Sequence, residues 1–225
     1  MKLGIYVGSF NPVHNGHLKV INYLLDNNLV DKVLVLATPN YWDKQDILDV
    51  KDRINMLKFF ETDNIIIDSI HNNYPYTYQV IDSIKKDYKD ELYLIIGSDN
   101  LEKLYLWKNI DKILENKIIV FRRGKEDINK LLERYPIDRF IVVDDFDYLN
   151  ICSTDIRNGK ENDIDSKVLQ YIKKNNLYKI DKEWYIWNLK YLIVVKVMYG
   201  NMFLQKMILV IDVLNYGMFK IGYKI

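Results

Sequence analysis

Short apolar runs alternate along the chain with longer stretches whose apolar positions recur at helical spacing. Leu3, Gly4, Ile5, Tyr6 and Val7 read as a strand, and from about Gly16 onward Leu18, Ile21, Leu24 and Leu25 share one helical face. The alternation then repeats. Residues 32–37 predict a strand, 50–60 a helix, 64–68 a strand, and 77–88 a helix with Val80, Ile81 and Ile84 together. Residues 92–96 and 117–121 read as further strands, and a helical stretch near 127–133 precedes a strand at 140–143. A helix over 165–174 would close the unit. Near-continuous apolar strands spaced by helices predict an α/β fold, a doubly wound, mostly parallel sheet covered on both faces with right-handed crossovers. Ligands of such sheets sit at the carboxyl ends of the strands, so the loops after Val7, Ala37, Ile96 and Val143 should gather around one crevice.

From Asp181 the composition shifts to a Tyr-, Met- and Val-rich extension, which divides the chain into a domain over 1–180 and a tail over 181–225. The tail's longest apolar region, 191–211, is interrupted by Lys196 and Lys206. A membrane-spanning helix needs roughly 20 mostly apolar residues, so a packed appendage or a contact in a homo-oligomer is the expectation. Lys and Arg nearly balance Asp and Glu over the 225 residues, with a formal net charge of +1. No global field would then hold the protein to nucleic acid or anionic lipid, and any anion site must be local. Cys152 is the single cysteine, which rules out an intrachain disulfide and fits a reducing compartment. The run over 3–7 is too short for a secretory signal and is broken by Gly8, Asn11 and Pro12, so the expected location is the cytoplasm.

The loop after the first strand carries the densest chemistry: Gly8-Ser9-Phe10-Asn11-Pro12-Val13-His14-Asn15-Gly16-His17 leaves a strand and opens a helix. A helix amino end offers unpaired N–H donors and a partial positive charge, and Gly8 and Gly16 let a ligand or neighbouring backbone come close. His14 and His17 are three apart, so both rings can lie beside the first turn and donate to one phosphoryl group. Two of the chain's three histidines stand here. Taken as isolated residues, one could equally cap the helix or sit as a satisfied, partly buried ring. A zinc pair would need further ligands, and His71 and Cys152 are poor prospects; no metal site of the protein's own is expected. The acidic run Asp144-Asp145-Phe146-Asp147 reads as a solvated turn.

The segment resembles the G-x-F-x-P-x-H-x-G-H signature of the HxGH nucleotidyltransferase superfamily at every specified position. Ile151-Cys152-Ser153-Thr154-Asp155-Ile156-Arg157 is similar to that superfamily's second signature, I-S-S-T-x-I-R, with Cys152 in place of the first serine. Other stretches look like the bacterial nicotinate-nucleotide adenylyltransferases in particular. These are the loop ending in Lys44, though with Tyr41-Trp42-Asp43 in place of the usual prolines and histidine, then Arg53 with Met56, and Tyr76 with Thr77. Gly97-Ser98-Asp99 followed by Leu104 and Trp107, and the Arg122-Arg123-Gly124 strand ending, complete the series. The resemblance runs from about residue 2 to 178 and leaves the tail outside.

What the resemblance implies is adenylyl transfer from ATP to a pyridine mononucleotide, with Mg²⁺ carried by the ATP phosphates and no covalent enzyme intermediate. His14, His17 and Arg157 would be catalytic. Gly8, Ser9, Phe10, Gly16, Gly97, Asp99, Ser153 and Thr154 would bind ATP, and Lys44, Thr77 and Trp107 the mononucleotide. Each has a structural alternative: Ser153-Thr154 as an N-cap, Asp99 and Thr77 as helix caps, Lys44 as a solvated charge, Trp107 as core. A pantetheine-phosphate adenylyltransferase, a cytidylyltransferase or a nucleotide-sensing module on the same scaffold would share the first loop. The ring preference, nicotinate or nicotinamide, stays open.

Overall fold

The computed structural model describes residues 1–39, 47–124, 127–147, 151–159 and 161–178. These belong to one unit, Met1–Tyr178; Lys44 and the extension over 181–225 lie outside the described residues. In chain order the elements are β1 (Lys2–Gly8), α1 (Asn15–Asp26), β2 (Lys32–Ala37), α2 (Val50–Leu57), β3 (Ile65–Asp68) and α3 (Thr77–Asp87). They continue with β4 (Glu91–Gly97), α4 (Ser98–Leu101), α5 (Ile110–Leu114), β5 (Lys117–Phe121), α6 (Ile128–Leu132), β6 (Phe140–Val143), α7 (Ser153–Arg157) and α8 (Ser166–Lys174). The helix expected over 50–60 ends as α-helix at Leu57 and tightens into a 3₁₀ turn over Lys58–Phe60. Helices α4, α5 and α7 span four or five residues, too few for a periodic pattern to show in the sequence.

All six strands are parallel, in the order β3-β2-β1-β4-β5-β6. Alternation along each strand divides the apolar side chains between two cores. Val33, Val35 and Ala37 of β2 and Tyr93 and Ile95 of β4 join Val20, Ile21 and Leu24 of α1, Ile54 and Leu57 of α2, and Val168 of α8. Leu34, Leu36, Leu94 and Ile96, on the opposite face, join Val80, Ile81 and Ile84 of α3, Ile113 of α5 and Ile128 of α6. A strand buried on both faces must be apolar at nearly every position, which is why these strands read as unbroken runs.

From β1 the chain winds outward through β2 to β3, then crosses back to β4 and winds outward on the other side. The order reverses between β1 and β4. At such a switch point the two adjoining connections leave in opposite directions, and a crevice opens at the strands' carboxyl ends.

Candidate nucleotide site

A cavity of about 420 Å³ lies at that reversal, lined by the ends of β1 (Tyr6, Val7, Gly8), β4 (Ile95, Ile96, Gly97) and β5 (Phe121). Ser9, Phe10 and His17 border it from the first loop, and Thr38 and Pro39 from the end of β2. Tyr74, Pro75, Thr77 and Trp107 form the side toward α3, and Arg123 stands at the end of β5. Seven residues singled out in the sequence thus share one cavity: Gly8, Ser9, Phe10, His17, Thr77, Gly97 and Trp107.

The first loop is organised around two rings. His14, at the N-cap of α1, is 3% exposed, and its ring stacks on His17 with centroids 3.7 Å apart and planes 29° from parallel. Its backbone N–H donates to His17 Nδ1 at 3.2 Å. The two imidazoles are therefore not equivalent. His17 borders the cavity, while His14, stacked against it, is buried, with Nδ1 without a hydrogen-bond partner.

The glycines explain how the rings fit. A Cβ on Gly16 would sit 3.1 Å from the His14 ring, and one on Gly8 would sit 3.1 Å from the Phe10 ring. Phe10 adopts the left-handed backbone region at φ 45°, which costs a non-glycine residue roughly 1–2 kcal/mol. Its ring, 1% exposed, meets His17 edge-on at 4.9 Å, and that packing holds the strained residue in place. Gly8 and Gly16 thus make room for protein rings.

Burial depresses both histidines. The His14 pKa falls to about 4, from desolvation first and the Arg123 guanidinium second. Desolvation, then His14, then Arg123 hold His17 well below 6.5. At neutral pH both rings are neutral. With Nδ1 occupied as an acceptor, His17 carries its proton on Nε2.

Helix α7, the second signature, locks onto the same loop. Ser153 Oγ donates to the Pro12 carbonyl at 2.9 Å, Arg157 Nη1 to the Asn11 carbonyl at 2.8 Å, and Arg157 Nη2 to Thr154 Oγ1 at 3.2 Å. None of the three borders the cavity; Ser153 and Arg157 hold the loop's backbone. Cys152 stands at the α7 N-cap, and its sulfur accepts from the Asp155 N–H at 3.4 Å, the bond the missing serine would otherwise supply. Gly97, in the ATP-binding set that the resemblance implies, borders the cavity. Here the Arg123 and Asp99 side chains pass over it, each 2.3 Å from where a Cβ would stand, and the two pair at 3.4 Å. Thr77 is the first residue of α3; the cap position belongs to Tyr76. Trp107 borders the cavity and also packs against the β4 core.

Three residues escaped the sequence reading as parts of the site. Arg53, 0% exposed, donates through Nη1 to the Ser9 carbonyl at 2.6 Å and through Nε to the Leu48 carbonyl at 3.0 Å. Tyr178 O–H donates to Asn11 Oδ1 at 2.7 Å, and burial raises its pKa. Arg123 borders the cavity although it is the unspecified middle residue of Arg122-Arg123-Gly124, whose first arginine instead pairs with Asp144 at 2.6 Å. Asp145 and Asp147 are likewise taken up, by Tyr23 and Lys19 of α1.

A family model described as cytidylyltransferase-like matches residues 5–159. The probable nicotinate-nucleotide adenylyltransferase of Fusobacterium nucleatum is 34% identical over 195 residues, covering 82% of this chain and 99% of the relative. That of Flavobacterium johnsoniae is 35% identical over 195 residues, covering 80% and 100%. The solved structure of Plasmodium falciparum nicotinic acid mononucleotide adenylyltransferase complexed with NaAD aligns with a TM-score of 0.66 at 24% identity. It covers 79% of this chain and 97% of that one, and bears on the fold. With sequence identity extending over essentially the whole length of these relatives, the chain belongs to the cytidylyltransferase-like family and, within it, to the nicotinate-nucleotide adenylyltransferases.

Proposed function

We propose that this protein transfers the adenylyl group of ATP to nicotinate mononucleotide, forming deamido-NAD and pyrophosphate, a step of NAD biosynthesis placed in the cytoplasm. A phosphate oxygen of the mononucleotide attacks the α-phosphorus of ATP, the bond from that phosphorus to the α–β bridging oxygen breaks, and pyrophosphate leaves with the electron pair. The nucleophile arrives on the substrate, so the protein's task is to hold two anions in line and meet the charge that builds on the phosphoryl oxygens.

The observation that carries this reading is the His17 ring at the start of α1, neutral, with Nε2–H as its available donor, on a cavity at the β1/β4 reversal. A fixed neutral donor in a desolvated site stabilises a developing oxyanion with little reorganisation, and the α1 amino end adds a partial positive charge. Trp107 and Thr77, across the cavity, suit a flat pyridine ring and its substituent. Asp99, just beyond β4, suits ribose hydroxyls. Ser153, Thr154 and Arg157, next to the loop, would hold the β and γ phosphates, with Lys44 adding charge.

The cavity lining offers N–H and O–H donors and an arginine, which suit phosphate oxygens; the described residues contain no group of three or more His, Cys, Asp or Glu that would hold a cation. Mg²⁺ arriving on the ATP phosphates would neutralise charge on the leaving pyrophosphate. The catalytic unit would end near residue 180.

Pyrophosphate release from ATP and Mg²⁺ tests the reading, with nicotinate mononucleotide, nicotinamide mononucleotide and phosphopantetheine offered separately and products weighed by mass spectrometry. Turnover with the nicotinate substrate, and slower turnover with its amide, is expected. Turnover with phosphopantetheine alone would overturn the assignment, and turnover with none would point to a sensor.

A further inference from the structure

Four arginines stand near the strand ends that form the cavity. Arg53 holds the Ser9 and Leu48 carbonyls, Arg157 the Asn11 carbonyl and Thr154, and Arg122 the Asp144 carboxylate, with contacts from 2.6 to 3.2 Å. The fourth, Arg123, is the one charged side chain among the described residues that border the cavity. Its backbone is fixed, because its N–H donates to Oγ of the fully buried Ser98 at 3.0 Å. Its side chain crosses Gly97, where the missing Cβ leaves it room, and Nη1 meets Asp99 Oδ1 at 3.4 Å. That is long for an ion pair with charge-assisted hydrogen bonds, which settle near 2.7–2.9 Å. Asp99 is itself 54% exposed, so solvent screens the attraction. The guanidinium is nonetheless near enough to bear on both His14 and His17.

We propose that Arg123 contacts substrate: its guanidinium leaves Asp99 and takes the oxygens of the reacting phosphates beside His17. The inference rests on the adenylyl-transfer reading for the identity of the anion, a nucleoside triphosphate. Its physical basis is separate: a cavity that must take up a polyanion has neutral imidazoles and one cation on a fixed backbone at its edge. A planar fork presents two parallel N–H donors to a phosphate, and exchanging a screened carboxylate for a polyphosphate brings stronger pairing. The carboxylate that Arg123 releases then becomes available to the ribose hydroxyls.

The test is binding, which needs no turnover. Calorimetric titration of the full chain with the α,β-methylene analogue of ATP, and with inorganic pyrophosphate, is compared for wild type, Arg123→Met and Arg123→Lys. Arg123→Met should weaken both ligands about 10- to 100-fold at an unchanged thermal midpoint, and Arg123→Lys by a smaller factor, since it keeps the charge and loses the fork. The His17 imidazole, followed by NMR, should titrate at higher pH in Arg123→Met, a change that a packing role would not produce. If Arg123→Met fails to fold, the Arg123→Lys titrations decide. Affinities within twofold of wild type in the folded variants would overturn the proposal. A wild type that binds the analogue more tightly than Arg123→Met but adenylylates no pyridine mononucleotide would leave this inference standing and remove the substrate reading.

Discussion

The backbone N–H of His14 donates to Nδ1 of His17 at 3.2 Å, so the residue that starts α1 sets the tautomer of the ring that borders the cavity. One hydrogen bond places the His17 proton on Nε2. Replacing His17 with Ala should lower kcat by about 100- to 1000-fold, the range for removing one oxyanion donor, with the KM for either substrate changed little. Steady-state kinetics together with a thermal melt checks this; a kcat near wild type would remove His17 from the mechanism.

Gly16 offers a sharper test, because its substitution pits propensity against packing. Alanine inside a helix is favoured over glycine by about 0.5–1 kcal/mol. Here the new methyl would meet the His14 ring at 3.1 Å and press on its stack with His17. Gly16→Ala should therefore show a thermal midpoint close to wild type and kcat/KM reduced at least tenfold. A fully active variant would show that the loop tolerates displacement of His14.

Two histidines make stability depend on pH in opposite senses. His14 has its pKa lowered from 6.5 to about 4, so between those values the unfolded chain binds the proton that the folded chain refuses. Stability from this group is present above pH 6.5 and is lost as pH falls toward 4. His71, 3% exposed, bridges two carboxylates, with Nδ1 2.6 Å from Asp68 and Nε2 3.0 Å from Asp87. Although burial works against its charge, the two carboxylates together raise its pKa above 6.5. Its stabilisation is present below 6.5 and is lost as pH rises through the folded value. His71→Asn should cost about 1–3 kcal/mol at pH 6 and less at pH 9. Chemical denaturation at both pH values measures the difference, and an equal cost at the two would contradict the bridging charge.

Tyr178 joins the end of the described unit to the first loop through Asn11, whose Oδ1 also accepts from the Leu48 N–H at 3.2 Å. Tyr178→Phe removes one donor and leaves the other. The expected loss is about 1 kcal/mol of stability and a severalfold fall in kcat/KM, since Asn11 carries the carbonyl that Arg157 holds. Unchanged kinetics would confine Tyr178 to stability.

The parallel sheet was legible because its inner strands are buried on both faces, which leaves short apolar runs such as 32–37 between stretches of helical period. The helices α1 and α3 were legible because they are long enough to repeat an apolar stripe, whereas α4, at four residues, was not. The candidate site was legible where a motif specifies residue types, as from Gly8 to His17, four of whose residues border the cavity. It was silent at Arg123, which occupies an unspecified position of its motif, and at Tyr178, which reaches Asn11 across 167 residues of chain.

By itself the sequence determined the fold class and the position of the histidine-bearing loop between the first strand and the first helix. Local pattern carries that information, because burial on a sheet face and the opening of a helix are decided within a few residues. Only the tertiary structure decided which histidine borders the cavity, why Gly8 and Gly16 carry no side chain, and that Ser153 and Arg157 hold the loop's carbonyls. It also decided which arginine borders the cavity. The hold of Ser153 and Arg157 depends on distances between residues far apart in the chain, the fit of the glycines on how rings pack within one loop, and the protonation of His14 and His17 on the exclusion of water.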